Sequence, residues 1–157
     1  MHTLTKDDIP DILPLFRALH RHHVAALPDR FHDDGTDSQF ADHLAQLFDS
    51  DGAALGVRVD GALVAYALFV IQNRAADAFR HSVRRGYLEH IFVAEVHRKA
   101  GHATAMIAAM EARIVGQGIP VWTATHYPFN SRIAGAFSAF GANVDLIRVS
   151  KPVDGVQ

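Results

Sequence analysis

Two apolar runs, residues 53–59 and 62–71, meet at Asp60-Gly61. An Asp-Gly pair between such runs is a strong signal for a two-residue hairpin, because both residues tolerate the positive φ the turn demands. The middle of the chain is therefore expected to be a β-hairpin. Before it the apolar spacing is helical. Ile9, Ile12, Leu13, Phe16 and Leu19 recur at helix spacing behind a cap at Thr5 or Asp7, and this helix breaks before Pro28. Residues 2–5 precede it as a short strand. Residues 28–37, rich in Pro, Asp and Gly, read as a loop, after which Ser38 caps a second helix with Phe40, Leu44, Leu47 and Phe48 on its apolar face.

At 157 residues the chain is expected to be one domain, 1–157, with a substantial core. It is 49% hydrophobic and 20% charged, the balance of a globular domain rather than a disordered one. A net charge of −2 argues against nucleic acid as a partner. The chain has no cysteine, which removes disulfides, thiolate metal sites and Cys nucleophiles. The longest apolar run, 62–71, is too short to span a bilayer, and acids and prolines stand where a signal peptide would have its apolar region. No membrane partner and a cytoplasmic location are expected.

Beyond the hairpin, 73–86 reads as a long basic connection with Arg74, Arg80, His81, Arg84 and Arg85. Its arginines are either solvated or suited to grip a phosphate or carboxylate. Residues 87–93 read as a strand and 103–117 as a helix with Met106, Ile107, Met110 and Ile114 on one face, ended by Gly116 and Gly118. Residues 121–125 read as a strand, 131–140 as a helix stopped by Gly141, and 144–149 as a closing strand. The order β-α-α-β-β-β-α-β-α-β implies an α/β (α+β) fold, a mixed sheet with helices on both faces.

Between the strand 87–93 and the helix that follows stands Arg98-Lys99-Ala100-Gly101-His102-Ala103, of the form (Arg/Gln)-x-x-Gly-x-(Gly/Ala). A helix N-terminus offers unpaired N–H groups and the positive end of its dipole, and small residues let a phosphate approach them. An ordinary strand-to-helix turn carries similar residues, so the surroundings decide. An apolar strand holding an acid precedes the motif, and about thirty residues later comes Asn130-Ser131-Arg132-Ile133-Ala134, a helix start running to Gly141. This order resembles the GNAT superfamily of acetyl-CoA-dependent N-acetyltransferases.

The resemblance implies a mixed, mostly antiparallel sheet of six to seven strands with about four helices. It also implies that Arg98, Lys99, Ala100, Gly101, His102, Ala103 and Thr104 wrap the pyrophosphate of acetyl-CoA, and that Ile91, Phe92 and Val93 present backbone groups to its pantetheine arm. Asn130 either caps its helix or bonds the pantetheine. Where the family usually has a tyrosine that protonates the departing thiolate, this chain has Phe137, which packs but donates nothing. Water, Ser138, Tyr127 or His126 are the substitutes. A homodimer and a small-molecule or peptide amine as acceptor follow from the same resemblance, and the run Tyr87-Leu88-Glu89 with Phe92-Val93 resembles that of polyamine-type and related small-amine acetyltransferases.

Strand alternation places Glu89 with Tyr87, Ile91 and Val93, and His90 with Leu88 and Phe92. A carboxylate buried in an apolar strand has a raised pKa and suits a general base for deprotonating an amine. The plainer alternative is a surface Glu, paired to Arg84 or Arg85. The family's first two helices border the acceptor site, which makes His20, His23, Asp29, Arg30 and Phe31 candidate acceptor contacts, along with Tyr87 and His126. Eleven histidines raise the question of a metal, but no His-Glu-x-x-His pattern supports one and none is expected. The reading is an N-acetyltransferase with Glu89 as base. Its rival is an acyl-CoA-binding domain on the same scaffold without catalysis.

Overall fold

The expected hairpin forms: Asp60 and Gly61 take φ of 49° and 84°, the mirror-image turn that matches strand twist. The structure, a computed structural model, describes residues 1–151. They fall into two compact units, Met1–Thr125 and His126–Gln157. In the first, β1 (His2–Leu4) leads through a short 3-10 turn into α1 (Ile9–Ala26), followed by α2 (Asp37–Asp49), β2 (Gly52–Val59), β3 (Ala62–Arg74), β4 (Val83–Val93), α3 (His102–Val115) and β5 (Trp122–Ala124). The second contains α4 (Ser131–Ala139).

The sheet runs β1-β2-β3-β4-β5, antiparallel except for the parallel β4–β5 pair. The helix between β4 and β5 is what a parallel pair needs. The mixed, mostly antiparallel sheet with four helices is as expected, with five strands among the described residues. No helix there is long and apolar enough to cross a membrane.

The two faces of the sheet are covered by different helices. On one, Ile12 and Phe16 of α1 and Leu44 of α2 pack on Ala54, Tyr66, Leu68 and Val70, with Tyr87 and Phe92 at the margin. On the other lies α3, whose Met106, Ile107, Met110 and Ile114 are at most 2% exposed. Burying each contributes about 2 kcal/mol, more than helix propensity supplies over the same length. Gly86 of β4 lies under this helix, where an added Cβ would stand 3.3 Å from Ile114.

Local chemistry sets the element ends. Asp8 accepts the Thr5 N–H at 2.9 Å, fixing the entry to α1. Thr36, not Ser38, caps α2: its hydroxyl accepts from the Gln39 N–H at 3.3 Å, while Gln39 Oε1 accepts from the Thr36 N–H at 2.8 Å. This reciprocal box outranks a lone serine two residues later.

Three further expectations are corrected. The basic connection is shorter than it reads, because β3 and β4 extend through Arg74 and Val83 and leave only 75–82 as loop. Basic residues sit comfortably in a strand end that borders water. Residues 144–149 form no strand: Val144, Leu146, Ile147 and Val149 are 77–87% exposed. An alternating apolar run becomes a strand only beside another, and the described part of the second unit contains none. Finally, the register of β4 shifts at Glu89, since Leu68 pairs with His90 while Phe69 pairs with Leu88. One residue of β4 is thus extra, and such a bulge breaks alternation. His90 joins Tyr87 and Phe92 on the α1/α2 face, and Leu88 joins Ile91 on the α3 face.

Candidate active site

Strand β4 changes character halfway along. Gly86, Tyr87 and Leu88 are paired on both sides, with β3 and with Trp122, Thr123 and Ala124 of β5. Glu89 itself is the unpaired residue of the bulge, and from His90 onward β4 pairs only with β3 among the described residues. The bulge and the end of the parallel pairing therefore fall at the same residue. Beyond it, Ile91, Phe92 and Val93 have a backbone edge that no strand covers among the described residues. An uncovered edge of N–H and C=O groups is a ready partner for an extended amide chain.

The end of β4 feeds the motif loop. After the turn Glu95–His97, Lys99 and Gly101 take φ of 67° and 78°. Gly101 stands at the N-cap of α3, where glycine meets a left-handed conformation without strain. No side chain caps this helix and its first turn holds no acid. The N–H groups of His102, Ala103 and Thr104 thus remain available to an anion, with the positive end of the helix dipole behind them. Arg98 braces the loop: its Nε donates to the Val93 carbonyl at 3.1 Å, and its guanidinium lies 3.5 Å from Glu95. Part of its charge is already matched, so the backbone groups carry more of the anion-binding capacity than the sequence motif suggests.

Glu89 is partly buried, and burial raises its pKa. It makes no ion pair with the neighbouring arginines. The Arg84 guanidinium donates to the Gln117 carbonyl at 2.9 Å and Arg85 Nε to Gln72 Oε1 at 3.0 Å. A carboxylate with a raised pKa and no cationic partner is fitted to accept a proton.

Beside it, His90 enters a cluster the sequence did not reveal. Its ring stacks on Phe16 at 4.5 Å, with His43 at 5.9 Å and Tyr66 at 6.2 Å between centroids. Burial, helped by His43 and His23, pushes the His90 imidazole down to about 3, so it is neutral at physiological pH. Burial also lowers the pKa of His43 and raises that of Tyr66. His90 Nδ1 and Tyr66 Oη are buried without a hydrogen-bond partner among the described residues. A histidine inside an apolar strand was the available signal, but its partners come from α1, α2 and β3.

The candidate acceptor contacts of the first unit fall in two places. His20 and His23 of α1 come together with Phe31, at 6.2 and 5.6 Å between ring centroids. His20 Nε2 is bonded to the His32 carbonyl at 2.8 Å and His23 Nδ1 to the Leu19 carbonyl at 2.9 Å. No three His, Asp or Glu residues stand together as a metal site among the described residues. Tyr87 reaches Thr125, hydroxyl to hydroxyl at 2.8 Å. In the second unit, Asn130 caps α4 by accepting the Ile133 N–H at 3.4 Å, and the rings of His126 and Phe137 lie 6.0 Å apart.

The fold is shared with solved structures of low sequence identity. A mutant of the BH1408 protein from Bacillus halodurans superposes with a TM-score of 0.86 at 17% identity, covering 97% of this chain and 98% of the other. A ribosomal-protein-alanine N-acetyltransferase from Brucella melitensis biovar Abortus 2308 gives 0.72 at 22%, covering 97% and 98%. The aminoglycoside N-acetyltransferase AAC(6')-Iy in complex with CoA gives 0.75 at 18%, covering 98% and 93%. A search of curated proteins finds no match. Residues 16–142, from α1 to the glycine-ended turn after α4, match the acetyltransferase (GNAT) family, and the chain belongs to that family.

Proposed function

We propose that this protein transfers the acetyl group of acetyl-CoA to a primary amine, with Glu89 as the general base. One observation carries this reading: at Glu89 the bulge, the end of the β5 pairing and a carboxylate without a cationic partner coincide. The strand that carries Glu89 leads through the motif loop into the uncapped start of α3, so one extended cosubstrate can run from the helix to the carboxylate.

Acetyl-CoA supplies an activated thioester. The first-turn N–H groups of α3 hold its pyrophosphate, and the open edge at Ile91, Phe92 and Val93 meets its pantetheine amides. Glu89 takes one proton from the acceptor ammonium, directly or through water, and leaves the nitrogen lone pair free to attack the thioester carbon. Backbone N–H groups of the same edge steady the charge that develops on the carbonyl oxygen. Phe137 gives the leaving sulfur no proton. A thiol of pKa about 8.5 leaves tolerably as thiolate near neutrality, and the second proton that the nitrogen sheds after attack passes to that thiolate or to water, so turnover requires no protein donor. With no cysteine in the chain, direct transfer needs no thioester on the protein. The names of two similar structures, an aminoglycoside and a ribosomal-protein-alanine N-acetyltransferase, support an amine as acceptor.

Thiol release from acetyl-CoA across a panel of amines tests the reading. Glu89→Gln is expected to lower kcat/KM by about 10²- to 10³-fold while calorimetry shows unchanged acetyl-CoA binding. Equal turnover in the variant would remove Glu89 from the role of base. Binding of acetyl-CoA without thiol release for any amine would identify a binding domain instead.

A further inference from the structure

Away from the cofactor loop, at the opposite end of β4, a cleft of about 500 Å³ is lined by Gln72, Asn73, Arg74, Arg80, Val83 and Arg85. Three of these six are arginines and none is acidic. Only Arg74 is neutralised, by Asp77 at 3.3 Å. Among the described residues Arg80 and Arg85 have no ion-pair partner.

The cleft is held in shape by polar bonds. Arg74 also donates to the His81 carbonyl at 3.0 Å, which ties the loop 75–82 back to the end of β3. Asp77 Oδ1 accepts from the N–H groups of Phe79 and Arg80, both at 2.8 Å, and the Asp77 N–H donates to the Arg80 carbonyl at 3.0 Å. The backbone of Arg80 is thereby fixed. Gln72 holds Arg85 through Nε at 3.0 Å, which limits how its guanidinium can turn. Guanidinium groups held this way match the planar or tetrahedral oxygens of carboxylate and phosphate.

Register places the cleft relative to Glu89. Gln72 pairs with Arg85, Val70 with Tyr87 and Leu68 with His90, so Arg85, Tyr87 and His90 follow one another along one face of β4. Four residues separate Arg85 from Glu89, about 13 Å along a strand. The cofactor loop begins beyond Val93, eight residues from Arg85 and thus about 26 Å away. The arginines are therefore placed for the acceptor rather than for the coenzyme's pyrophosphate.

We propose that the cleft of Arg74, Arg80 and Arg85 binds an oxyanion group of the acceptor, a carboxylate or a phosphate, about 13 Å from the amine that is acetylated. This rests on Glu89 marking the acetylation point. It selects amphoteric acceptors, an amine at one end and an acid at the other, over purely cationic polyamines.

The test compares ω-amino acids and ω-aminoalkyl phosphates of increasing length with ω-amino alcohols of matched length, by thiol release from acetyl-CoA. The acidic acceptors are expected to exceed the alcohols in kcat/KM by about tenfold or more at the length that spans the gap. Arg85→Gln, and separately the exposed Arg80→Gln, should collapse that ratio toward one. A preference for one acidic series tells carboxylate from phosphate. Equal kcat/KM for acids and alcohols at every length overturns the proposal while leaving the transferase intact. If no amine releases thiol, NMR titration with inorganic phosphate decides: saturable shifts confined to residues 72–85 and lost in Arg85→Gln support the anion site without the transferase. Absence of such shifts overturns it.

Discussion

Under α3, Met106, Ile107, Met110 and Ile114 meet the sheet with side chains that carry no hydrogen-bond donor or strong acceptor. Under α1 and α2, Phe16, Leu44 and Leu68 share the interior with Tyr66 and His90, with the exposed His43 at its edge, and Tyr66 Oη and His90 Nδ1 lack a partner among the described residues. Each buried unpartnered group costs about 1–3 kcal/mol. One face thus carries stability and the other tolerates polar groups beside the bulged strand. That second face is where a substrate amine, a cosubstrate carbonyl or a bridging water would find something to bond.

The largest expected effect lies on the apolar face. Ile107→Ala should lower stability by about 2–5 kcal/mol in urea unfolding, with KM values unchanged. A comparable loss for an apolar replacement of His90 would erase the distinction between the faces. His90→Phe is instead expected to leave neutral-pH stability intact and to flatten its acid dependence. The folded pKa of His90 is depressed to about 3, so the unfolded chain binds the extra proton as pH falls below about 6.5. Its share of stability is full above that pH and is lost on acidification. The wild type should lose about 2 kcal/mol more than His90→Phe between pH 7 and pH 5.

Gly101→Ala sharpens the contrast from the loop side. An added Cβ would meet nothing within 4 Å, so the expected penalty of about 1–2 kcal/mol comes from its φ of 78° alone. Thermal unfolding reads that penalty, and a raised KM for acetyl-CoA reads the disturbed N-cap. The smallest effect on stability is expected at Glu89. Burial raises its folded pKa, so its contribution is present at low pH and is lost as pH rises through that pKa. Glu89→Gln should therefore gain slightly in stability at neutral pH, by less than about 1 kcal/mol, while losing activity. A stability loss instead would mean that the carboxylate serves the fold.

Features that depend on neighbours in sequence were legible without coordinates. Asp60-Gly61 dictates its own turn, the apolar face of α3 repeats at helix spacing, and Gly101 sits where a strand becomes a helix. Features that depend on a partner strand were not. The bulge at Glu89 exists only in the register against Leu68 and Phe69, and it reversed the expected facing of His90 relative to Leu88. Arg84 and Arg85 looked like loop because the end of a two-strand ribbon is wet, although both pair with β3. The run at 144–149 had the right periodicity and no strand beside it. In the candidate site, the motif loop and Glu89 were legible from residue type, whereas the His43–His90–Tyr66 grouping joins three elements that no local pattern connects.

The order of strands in the sheet is their order in the chain, which bears on how the molecule assembles. Neighbouring strands of the first four are consecutive in the chain, so β2, β3 and β4 can form by successive short closures of modest entropy, whereas β1 reaches β2 across α1 and α2. Only β5 must wait for α3 to cross back. The expected sequence is an early meander of β2, β3 and β4, with the β4–β5 junction at Leu88 and Ala124 completed last. Pulse-labelled hydrogen exchange would read this as early protection in β3 and late protection at Thr123. The opening beside Glu89 would then be the last part of the sheet to acquire its final shape.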